Sequence, residues 1–370
     1  MKKLRIIHVV YSFGTGGMEK GVATIVGNTS EYFEHIILCL SSSGLTEHLL
    51  PRNTKIVELN KPAGNSVFFL LKLARTLKAF SPAIIHTRNW GGTDAIIAGK
   101  LAGIHTIIHG EHGWEISDAE GKNLKRLRIR QFLSRWVREY TCVSQHQKQW
   151  LENIVKVNKP VTQIYNGVDT QRFCPGENRQ KIRKELEIPL DIFLVGIIGR
   201  LDPIKNHPIL FQAVKNLRNQ FPAIRLLVVG DGEERAHLEK LRDNSIILLG
   251  NRLDVPTILQ ALDVFVLPSC NEGISNTILE AMASTLPVIA TGVGGNVELV
   301  QQNINGFLVP VGDVNAITSA LLQYAMSPRL REQHGQAGRR IAIEQFSIDR
   351  MVRGYEKVYH RVASGQDRIV

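Results

Sequence analysis

The sequence has 370 residues, of which 44% are hydrophobic, and its lysines and arginines exceed its aspartates and glutamates by 45 − 34 = 11. A single hydrophobic core stops growing at about 250 to 300 residues, so this length predicts two domains. No apolar run reaches the roughly 18 residues of a membrane-spanning helix, and the four cysteines show neither a disulfide framework nor zinc-ligand spacing. We therefore expect a cytoplasmic protein, soluble or peripheral on the inner face of the cell membrane, with an anionic partner.

Short apolar segments alternate with helix-length segments along the whole chain. They are RIIHVV, HIILCL, KIVELN, AIIHT, HTIIHG and YTCVS, then LVGIIGR, RLLVVGDG, SIILLG, VFVLPS, PVIAT and GFLVP. Apolar strands that alternate with helices are typical of a parallel sheet covered on both faces. We predict two doubly wound α/β domains, 1–165 and 191–345, a hinge at 166–190 where turn residues and charges interrupt the pattern, and a C-terminal helix, 346–370, that packs on the first domain.

Three glycines follow the first predicted strand, at the end where a parallel sheet binds ligands. Gly14, Gly16 and Gly17 permit a tight turn and a close backbone approach, and a helix that begins near Met18 would point free N–H groups at an anion. The segment is not a GxGxxG motif, because Glu19 occupies its last position. A turn without a ligand explains these glycines equally well.

The fifth predicted strand leads into HTIIHGEHGWE, which is rich in histidine. His105, His109, Glu111 and His112 can be read as metal ligands, but neither an HExxH motif nor a cysteine partner accompanies them. We therefore predict no metal at this segment.

A basic segment, Lys122 to Arg138, follows. Its leucines and aromatic residues at 124, 127, 132 and 136 can line one side of a helix, with arginines and lysines on the other sides. Such a helix is typical of a peripheral contact with an anionic membrane. A solvated helix that lies on the domain core is an equal alternative.

Two cations follow the first strand of the second domain. The segment GRLDPIKN places Arg200 and Lys205 on one loop, with Asp202 as the neighbouring carboxylate. Two permanent cations on such a loop can hold a diphosphate. An ordinary charged surface loop explains them equally well.

The segment PSCNEGISNTILEAMA, residues 268–283, places Glu272 and Glu280 on either side of a helix start. Ser275 or Asn276 can cap this helix, whose first N–H groups can bind phosphate. Carboxylates accept readily from hydroxyl groups, so each acid suits a sugar beside the phosphates. We expect Glu280 to point away from the buried face. The alternative assigns one acid to the helix dipole and the other to an exposed position.

Several of these segments together resemble the retaining glycosyltransferases of family four, which have the GT-B fold. PSCNEGISNTILEAMASTLPVIATGVGG is similar to the family's Glu-x7-Glu signature, IYNGVDTQRFCP to its interdomain segment, and SFGTGGME, GRLDPIKNH and VVGDGEE match in order and spacing. The resemblance runs from about residue 5 to about 345. It implies two Rossmann-like domains that face each other across a cleft. It also implies transfer of a hexose-type sugar from a UDP- or GDP-linked donor, with retention of configuration and without a metal or other cofactor.

The resemblance implies a role for each matching residue. Arg200 and Lys205 would neutralise the diphosphate leaving group, Glu272 would bind hydroxyls of the transferred sugar, and Glu280 would hold the ribose. Backbone amides would assist at the phosphates, namely those of Gly273, Ile274, Ser275 and Asn276. The donor would also be covered by Gly16 and Gly17.

The family also carries a histidine after the fifth strand of the first domain, where it contacts the transferred sugar. Both His109 and His112 can match this position, and His112 is preferred. Glu111 is a further candidate for a sugar or acceptor contact.

The implied acceptor is a glycan or lipid-linked glycan used in cell-surface polysaccharide synthesis, and GEHGW resembles a subgroup tied to exopolysaccharide and exosortase systems. A nucleotide-sugar epimerase or a phosphorylase on similar domains is the first alternative. The second is a basic module that binds membranes or nucleic acid. Nucleic acid is not an expected partner, because aromatic residues are not interleaved with a basic stripe.

Overall fold

The structure is a computed structural model, which describes residues 3–14, 16–44, 50–64, 66–113, 118, 120–176 and 179–365. The chain divides into two compact units: unit 1 comprises Met1–Gly167 and Ile348–Val370, and unit 2 comprises Val168–Ser347. Each unit contains one sheet whose paired strands are all parallel. The prediction of two doubly wound, Rossmann-like sheets is therefore confirmed.

Seven strands form the sheet of unit 1, in the order β3-β2-β1-β4-β5-β6-β7. Their bounds are β1 Leu4–Val10, β2 Phe33–Cys39, β3 Lys55–Glu58, β4 Ile84–Arg88, β5 Ile107–Glu111, β6 Glu139–Cys142 and β7 Val161–Gln163. The helices between them are α1 Gly17–Asn28, α2 Val67–Phe80, α3 Thr93–Leu101, α4 Leu124–Leu133 and α5 Gln145–Gln149, which a π-helix, Trp150–Val155, continues.

Six strands form the sheet of unit 2, in the order β10-β9-β8-β11-β12-β13. Their bounds are β8 Phe193–Ile198, β9 Ile224–Val229, β10 Ile246–Gly250, β11 Val264–Leu267, β12 Val288–Thr291 and β13 Gly306–Val309. The helices are α6 Arg179–Glu185, α7 His207–Arg218, α8 Arg235–Leu241, α9 Val255–Ala261, α10 Asn276–Ala283, α11 Asn296–Leu299, α12 Val314–Met326 and α13 Pro328–Gln345, and a 3-10 helix, Pro203–Lys205, precedes α7. The last helix, α14 Ile348–Ser364, belongs to unit 1.

Helices cover both faces of the unit 1 sheet, which explains why its central strands are apolar throughout. On one face, residues of α2, α3 and α4 share a core with alternate residues of the strands, such as Ile7 and Ile85. On the other face, α1 and α14 pack against the intervening residues, such as Ile6 and Ile84. A strand buried on both sides reads as a continuous apolar run.

All twelve predicted strands are present, and β7 is the one that the pattern did not indicate. Two of its three residues, Thr162 and Gln163, are polar, so its burial pattern carries no apolar signal. The strand is defined by its parallel pairing with β6, and only the folded sheet reveals such a pairing.

The boundary between the two units, Gly167/Val168, falls within the range 166–190 that the sequence predicts as a hinge. Residues from Val168 onward belong to unit 2. There α6 is anchored by Arg183, a fully buried side chain that pairs with Asp263 at 2.7 Å. Arg183 is thus internal although it lies among charges that resemble a linker in the sequence, because a buried cation must find a buried acid. The C-terminal helix begins at Ile348 rather than at residue 346, and residues 366–370 lie outside the described residues.

Candidate active site

The loop after β8 carries two cations and one carboxylate. Asp202, which is 4% exposed, caps the short 3-10 helix because one of its oxygens accepts from the backbone N–H of Lys205 at 3.2 Å. Its other oxygen accepts from Arg200 Nε at 2.9 Å. The Arg200 side chain is nevertheless 71% exposed. The remaining donors of its guanidinium are therefore accessible to a ligand.

Lys205 and Glu272, from the loops after β8 and β11, form an ion pair. Lys205 Nζ lies 2.5 Å from Glu272 Oε1, and Ser269 Oγ donates to the same oxygen at 2.7 Å. Within the described part of the chain, Glu272 Oε2 forms no hydrogen bond, so this oxygen can accept one from a ligand. The sequence presented the cation and the acid as separate groups, and they meet because β8 and β11 are neighbours in the sheet.

Two glycines after β12 determine where the Glu272 loop lies. Gly294 has φ +48°, and a Cβ atom there would collide with the carbonyl oxygen of Glu272. A Cβ atom at Gly295 would collide with the carbonyl of Gly273, and the Gly295 N–H donates to the Glu272 carbonyl at 3.3 Å. Only glycine allows this approach. Sequence reasoning noted the GVGG segment but missed this positioning role, as it missed that of Ser269.

The start of α10 agrees with the prediction. Ser275 is the N-cap, and its Oγ accepts from the N–H of Ile278 at 3.3 Å. Gly273 and Ile274 precede this cap, and Asn276 is the first helical residue. The backbone N–H groups of the first turn are thus collected at one point, as an anion site requires.

The predicted orientation of Glu280 is wrong. Its side chain does not face solvent, since the residue is only 8% exposed. The reason is that α10 has no solvent face over its last turns: it packs on β11 and β12 on one side and on α13 on the other. Helical periodicity assumes one exposed side and fails for a helix enclosed in this way.

In unit 1, the end of β5 holds a buried carboxylate between two basic groups. Arg130 Nε donates to Glu111 Oε1 at 2.8 Å, and His109 Nε2 lies 3.5 Å from the same oxygen. Burial alone would raise the pKa of Glu111, but the Arg130 charge and the adjacent His109 ring lower it to about 2. The other ring nitrogen of His109 is bonded to Thr87 Oγ1 at 2.6 Å. Glu111 and one ring nitrogen of His109 are therefore engaged with protein groups, whereas His109 Nε2 lies near Glu111 without a hydrogen bond among the described residues.

His112, at the same strand end, has fewer partners than His109. Its backbone N–H donates to Asn89 Oδ1 at 2.7 Å, but its two buried ring nitrogens have no partner among the described residues. Burial and the nearby charge of Arg88 lower the pKa of His112 to about 3, so the ring is neutral at pH 7. Arg88 itself is 1% exposed and was not singled out in the sequence. The signal that could have identified Arg88 in the sequence is a cation at the end of an apolar strand.

The glycine segment after β1 lies at the start of α1. The helix begins at Gly17, one residue before the predicted start, with Gly16 as its N-cap at φ −73°. A Cβ atom at Gly14 would meet nothing within 4 Å, and one at Gly16 would meet the flexible carboxylate of Glu19. The backbone at these positions therefore does not itself require glycine.

The helix α4 lacks the single apolar side that was predicted. Leu124 and Phe132 are 70% and 48% exposed, whereas Leu127 packs on the core. Arg130 points inward to Glu111 and is 8% exposed. The helix lies on the domain core, as the alternative had it, because its ion pair and its apolar contacts fall on the same side.

The histidines around β5 do not all lie at the same end of the strand. His105 precedes β5 and lies at the opposite end of that strand from His109 and Glu111. Among the described residues, no group of three or more histidine, cysteine, aspartate or glutamate side chains could hold a metal ion. In the same part of the chain, every helix is too short or too polar to cross a bilayer.

Two family models match the chain, one in each unit. The model described as Glycosyltransferase Family 4 matches residues 15–172, and the model described as Glycosyl transferases group 1 matches residues 192–326. The UDP-Gal:alpha-D-GlcNAc-diphosphoundecaprenol alpha-1,3-galactosyltransferase of Escherichia coli is 29% identical over 80% of each chain. The N-acetyl-alpha-D-glucosaminyl L-malate synthase of Bacillus anthracis is 29% identical over 71% of this chain and 69% of its own.

Solved structures share the fold. Anabaena Alr3699/HepE, crystallised in complex with UDP, is 22% identical and has a TM-score of 0.82 over 97% of this chain and 100% of its own. Sucrose-phosphate synthase from Thermosynechococcus elongatus is 20% identical and has the same TM-score over 98% and 100%. These structural likenesses show that the chain has the GT-B fold. The family matches show that it is a glycosyltransferase. The chain is an enzyme and belongs to the glycosyltransferases of family 4, group 1.

Proposed function

We propose that this glycosyltransferase moves a hexose from a UDP-linked donor to a lipid-linked glycan in the synthesis of a cell-surface polysaccharide, with retention of configuration and without a metal. The observation that carries the proposal is the pairing of Lys205 with a single oxygen of Glu272, which leaves the other oxygen open. The name of the Escherichia coli relative, with UDP-galactose as donor and a diphosphoundecaprenol-linked sugar as acceptor, supports both substrates. HepE was also solved in complex with UDP-glucose.

The diphosphate of the donor would bind to unit 2 between the Arg200 loop and the start of α10. Negative charge builds up on the leaving diphosphate in the transition state, and preorganised cations and N–H groups stabilise it. The exposed guanidinium of Arg200 and the ammonium of Lys205, which has three donors, supply the cations. The backbone amides from Gly273 to Asn276 supply the dipoles.

The two acids would bind the two sugars of the donor. Glu272 Oε2 would accept from a hydroxyl of the transferred hexose while its other oxygen holds Lys205 in place. Glu280 keeps the ribose role that the resemblance implies, and its burial suits a ligand that must be held without water. In unit 1, His112 would contact the hexose, and Gly16 and Gly17 the donor.

The proposal needs no divalent cation, because Arg200 and Lys205 already supply positive charge at the phosphates. Transfer should therefore be unaffected by a chelator. Activity that is lost in EDTA and restored by Mg²⁺ would contradict this part of the proposal and leave the donor assignment intact.

The acceptor would be reached at the inner face of the cell membrane. A lipid-linked substrate stays in the bilayer, so the enzyme must work at its surface, and the excess of 45 − 34 = 11 basic residues favours an anionic surface. An exopolysaccharide or exosortase subgroup stays a prediction.

The test is a transfer assay with a panel of nucleotide sugars and an undecaprenol-linked acceptor. The correct donor, at 100 times its dissociation constant, should stabilise the fold by about 2.7 kcal/mol. UDP should be released only when acceptor is present, which separates transfer from epimerisation, and NMR of the product should show a retained anomeric configuration.

Two variants test the residue assignments. Lys205→Ala should lower transfer by about 10² to 10³-fold, and Glu272→Gln by about 10 to 100-fold, because a hydrogen bond to a charged group is lost. Lys181→Ala, at an exposed lysine of α6, is the matched control and should change nothing. If either Lys205→Ala or Glu272→Gln kept full transfer activity, the role assigned to that residue would be wrong.

A further inference from the structure

Arg88, the last residue of β4, is a buried cation without a carboxylate partner in the described part of the chain. The residue is 1% exposed, and its guanidinium forms no ion pair with a described acid. A charge withdrawn from water is costly unless hydrogen bonds compensate for it. The groups that accept hydrogen bonds from Arg88 therefore indicate its role.

Arg88 forms two hydrogen bonds with His86 on the same strand. Its Nη1 donates to the His86 carbonyl at 3.3 Å, and its Nη2 lies 3.2 Å from His86 Nδ1. An arginine side chain has five N–H donors and no acceptor, so His86 Nδ1 must accept. The hydroxyl of Tyr359, 3.0 Å from the same nitrogen, must then donate to it. His86 Nδ1 therefore carries no proton.

The proton of the neutral His86 ring is consequently on Nε2. A second proton, on Nδ1, would point at the guanidinium of Arg88, and burial together with the Arg88 charge keeps the pKa of His86 well below 6.5. The Nε2–H group lies 3.3 Å from Thr141 Oγ1, which can accept from it. Arg88 thus selects one of the two tautomers of a buried histidine.

The selected tautomer faces His112 across Gly110. In the register of the sheet, Gly110 of β5 pairs with Arg88 on one side and with Thr141 on the other. A Cβ atom on Gly110 would lie 3.0 Å from His112 Nε2. It would also lie 3.0 Å from Thr141 Oγ1 and 3.2 Å from His86 Nε2. The Nε2 side of the His112 ring is therefore close to the N–H group that Arg88 fixes.

We infer that Arg88 is a positioning residue that determines, through His86, which ring nitrogen of His112 carries the proton. Two N–H groups that face each other repel, so the His86 N–H favours a His112 ring without a proton on Nε2. The proton then lies on Nδ1, which has no partner among the described residues. His112 would donate this N–H to a hydroxyl oxygen of the transferred hexose.

Only this last step rests on the proposed function, because the contact between His112 and the hexose is part of it. The tautomers of His86 and His112 are properties of unit 1 alone. They can be measured without donor, acceptor or turnover.

The experiment is nitrogen-15 NMR of the histidine rings in the full chain at neutral pH, with His86→Gln and His112→Asn to assign the signals. We expect His86 to be protonated on Nε2 and His112 on Nδ1. Arg88→Met removes the donors, so that Tyr359 can either donate or accept, and both rings should show mixed tautomers. The kcat of transfer should fall about tenfold, the effect of one hydrogen bond, while the KM of the donor changes by less than about twofold.

Two variants serve as controls. Arg88→Lys keeps a donor and a charge beside His86 and should preserve both tautomers and most of the transfer activity. Tyr359→Phe removes the other group that faces His86 Nδ1 and leaves Arg88 in place, so the tautomers should not change. Native tryptophan fluorescence reports whether unit 1 is folded in each variant, because all four tryptophans lie in it.

Gly110→Ala tests the contact with His112 and leaves Arg88 and His86 intact. Its methyl group would lie 3.0 Å from His112 Nε2, so the ring has to shift. We expect His86 to keep its tautomer, His112 to lose its preference and kcat to fall about tenfold. Gly27→Ala is the matched control, because a Cβ atom there would meet nothing within 4 Å.

A wild-type His86 ring protonated on Nδ1 would overturn the inference. So would unchanged tautomers in a folded Arg88→Met chain or, where that chain does not fold, an unchanged His112 ring in Gly110→Ala. If the tautomers change and kcat does not, Arg88 is not a positioning residue for the reaction. A wild-type chain that shows both expected tautomers but transfers no sugar supports the effect of Arg88 on the rings and contradicts the proposed function alone.

Discussion

Both units contain a parallel sheet, yet the charged residues at the strand ends differ in their exposure to solvent. In unit 2, Arg200 is largely exposed and Lys205 shares only one oxygen of its acid. In unit 1, Arg88 and Glu111 are 1% and 2% exposed. The strand ends of unit 2 thus present a charge that is accessible to solvent, whereas the charges at the strand ends of unit 1 are buried.

This difference separates two kinds of ligand chemistry. Accessible cations with additional donors suit an anion such as a diphosphate. A neutral imidazole such as that of His112, whose ring nitrogens have no partner in the described part of the chain, suits a ligand that has hydroxyl groups. Burial, rather than residue type, therefore decides which of these charges are accessible.

The first prediction is that unit 1 is the more sensitive to acid. Burial lowers the pKa of His35 to about 4 and that of His112 to about 3, and places the pKa values of His8 and His86 well below 6.5. A lowered pKa in the folded state means that stability is complete above pH 6.5 and is lost as the pH falls from there toward 3 or 4. Each such histidine contributes about 1.4 kcal/mol per pH unit in this window.

Tryptophan fluorescence measures this effect, because all four tryptophans lie within the unit 1 range. The urea midpoint reported by fluorescence should fall between pH 7 and pH 5 by more than the midpoint of unit 2. In unit 2 the shifted histidines are His207, with its pKa lowered to about 4, and His334. Equal shifts of the urea midpoint in the two units would contradict the prediction that unit 1 is the more sensitive to acid.

The second prediction concerns the glycines that position the unit 2 edge. Gly294→Ala should destabilise unit 2 by about 1 to 3 kcal/mol, because alanine is strained at φ +48° and its Cβ collides with the Glu272 carbonyl. It should also lower transfer. Gly292→Ala is the matched control, since its Cβ would lie 3.9 Å from the nearest atom. Urea unfolding followed by circular dichroism compares them, and an equal effect of both would mean that the close approach does not matter.

The third and smallest prediction distinguishes the two histidines of unit 1. His112→Asn should lower transfer about tenfold with little change in stability, because its ring nitrogens bind no group of the described residues. His109→Asn should instead lower the free energy of unfolding by about 1 to 3 kcal/mol, since the buried Thr87 hydroxyl loses its side-chain partner and Glu111 the ring beside it. The opposite pattern, measured by transfer assays and urea unfolding, would make His109 the sugar contact.

Patterns that depend on neighbours along the chain were predictable. The twelve apolar strands and the Ser275 cap of α10 follow from local spacing and side-chain chemistry. The glycine pair at 294 and 295 was visible in the sequence, but its purpose was not, because the Glu272 loop that it touches comes from another strand.

By itself, the sequence determined the alternation of strands and helices, the cap of α10 and the set of residues available at the strand ends, because these depend on residues a few positions apart. Only the tertiary structure decided that Glu280 is enclosed, that Arg130 neutralises Glu111 and that Lys205 holds Glu272. Burial and ion pairing depend on which distant segments the sheet brings together, and such distances are not encoded in local periodicity.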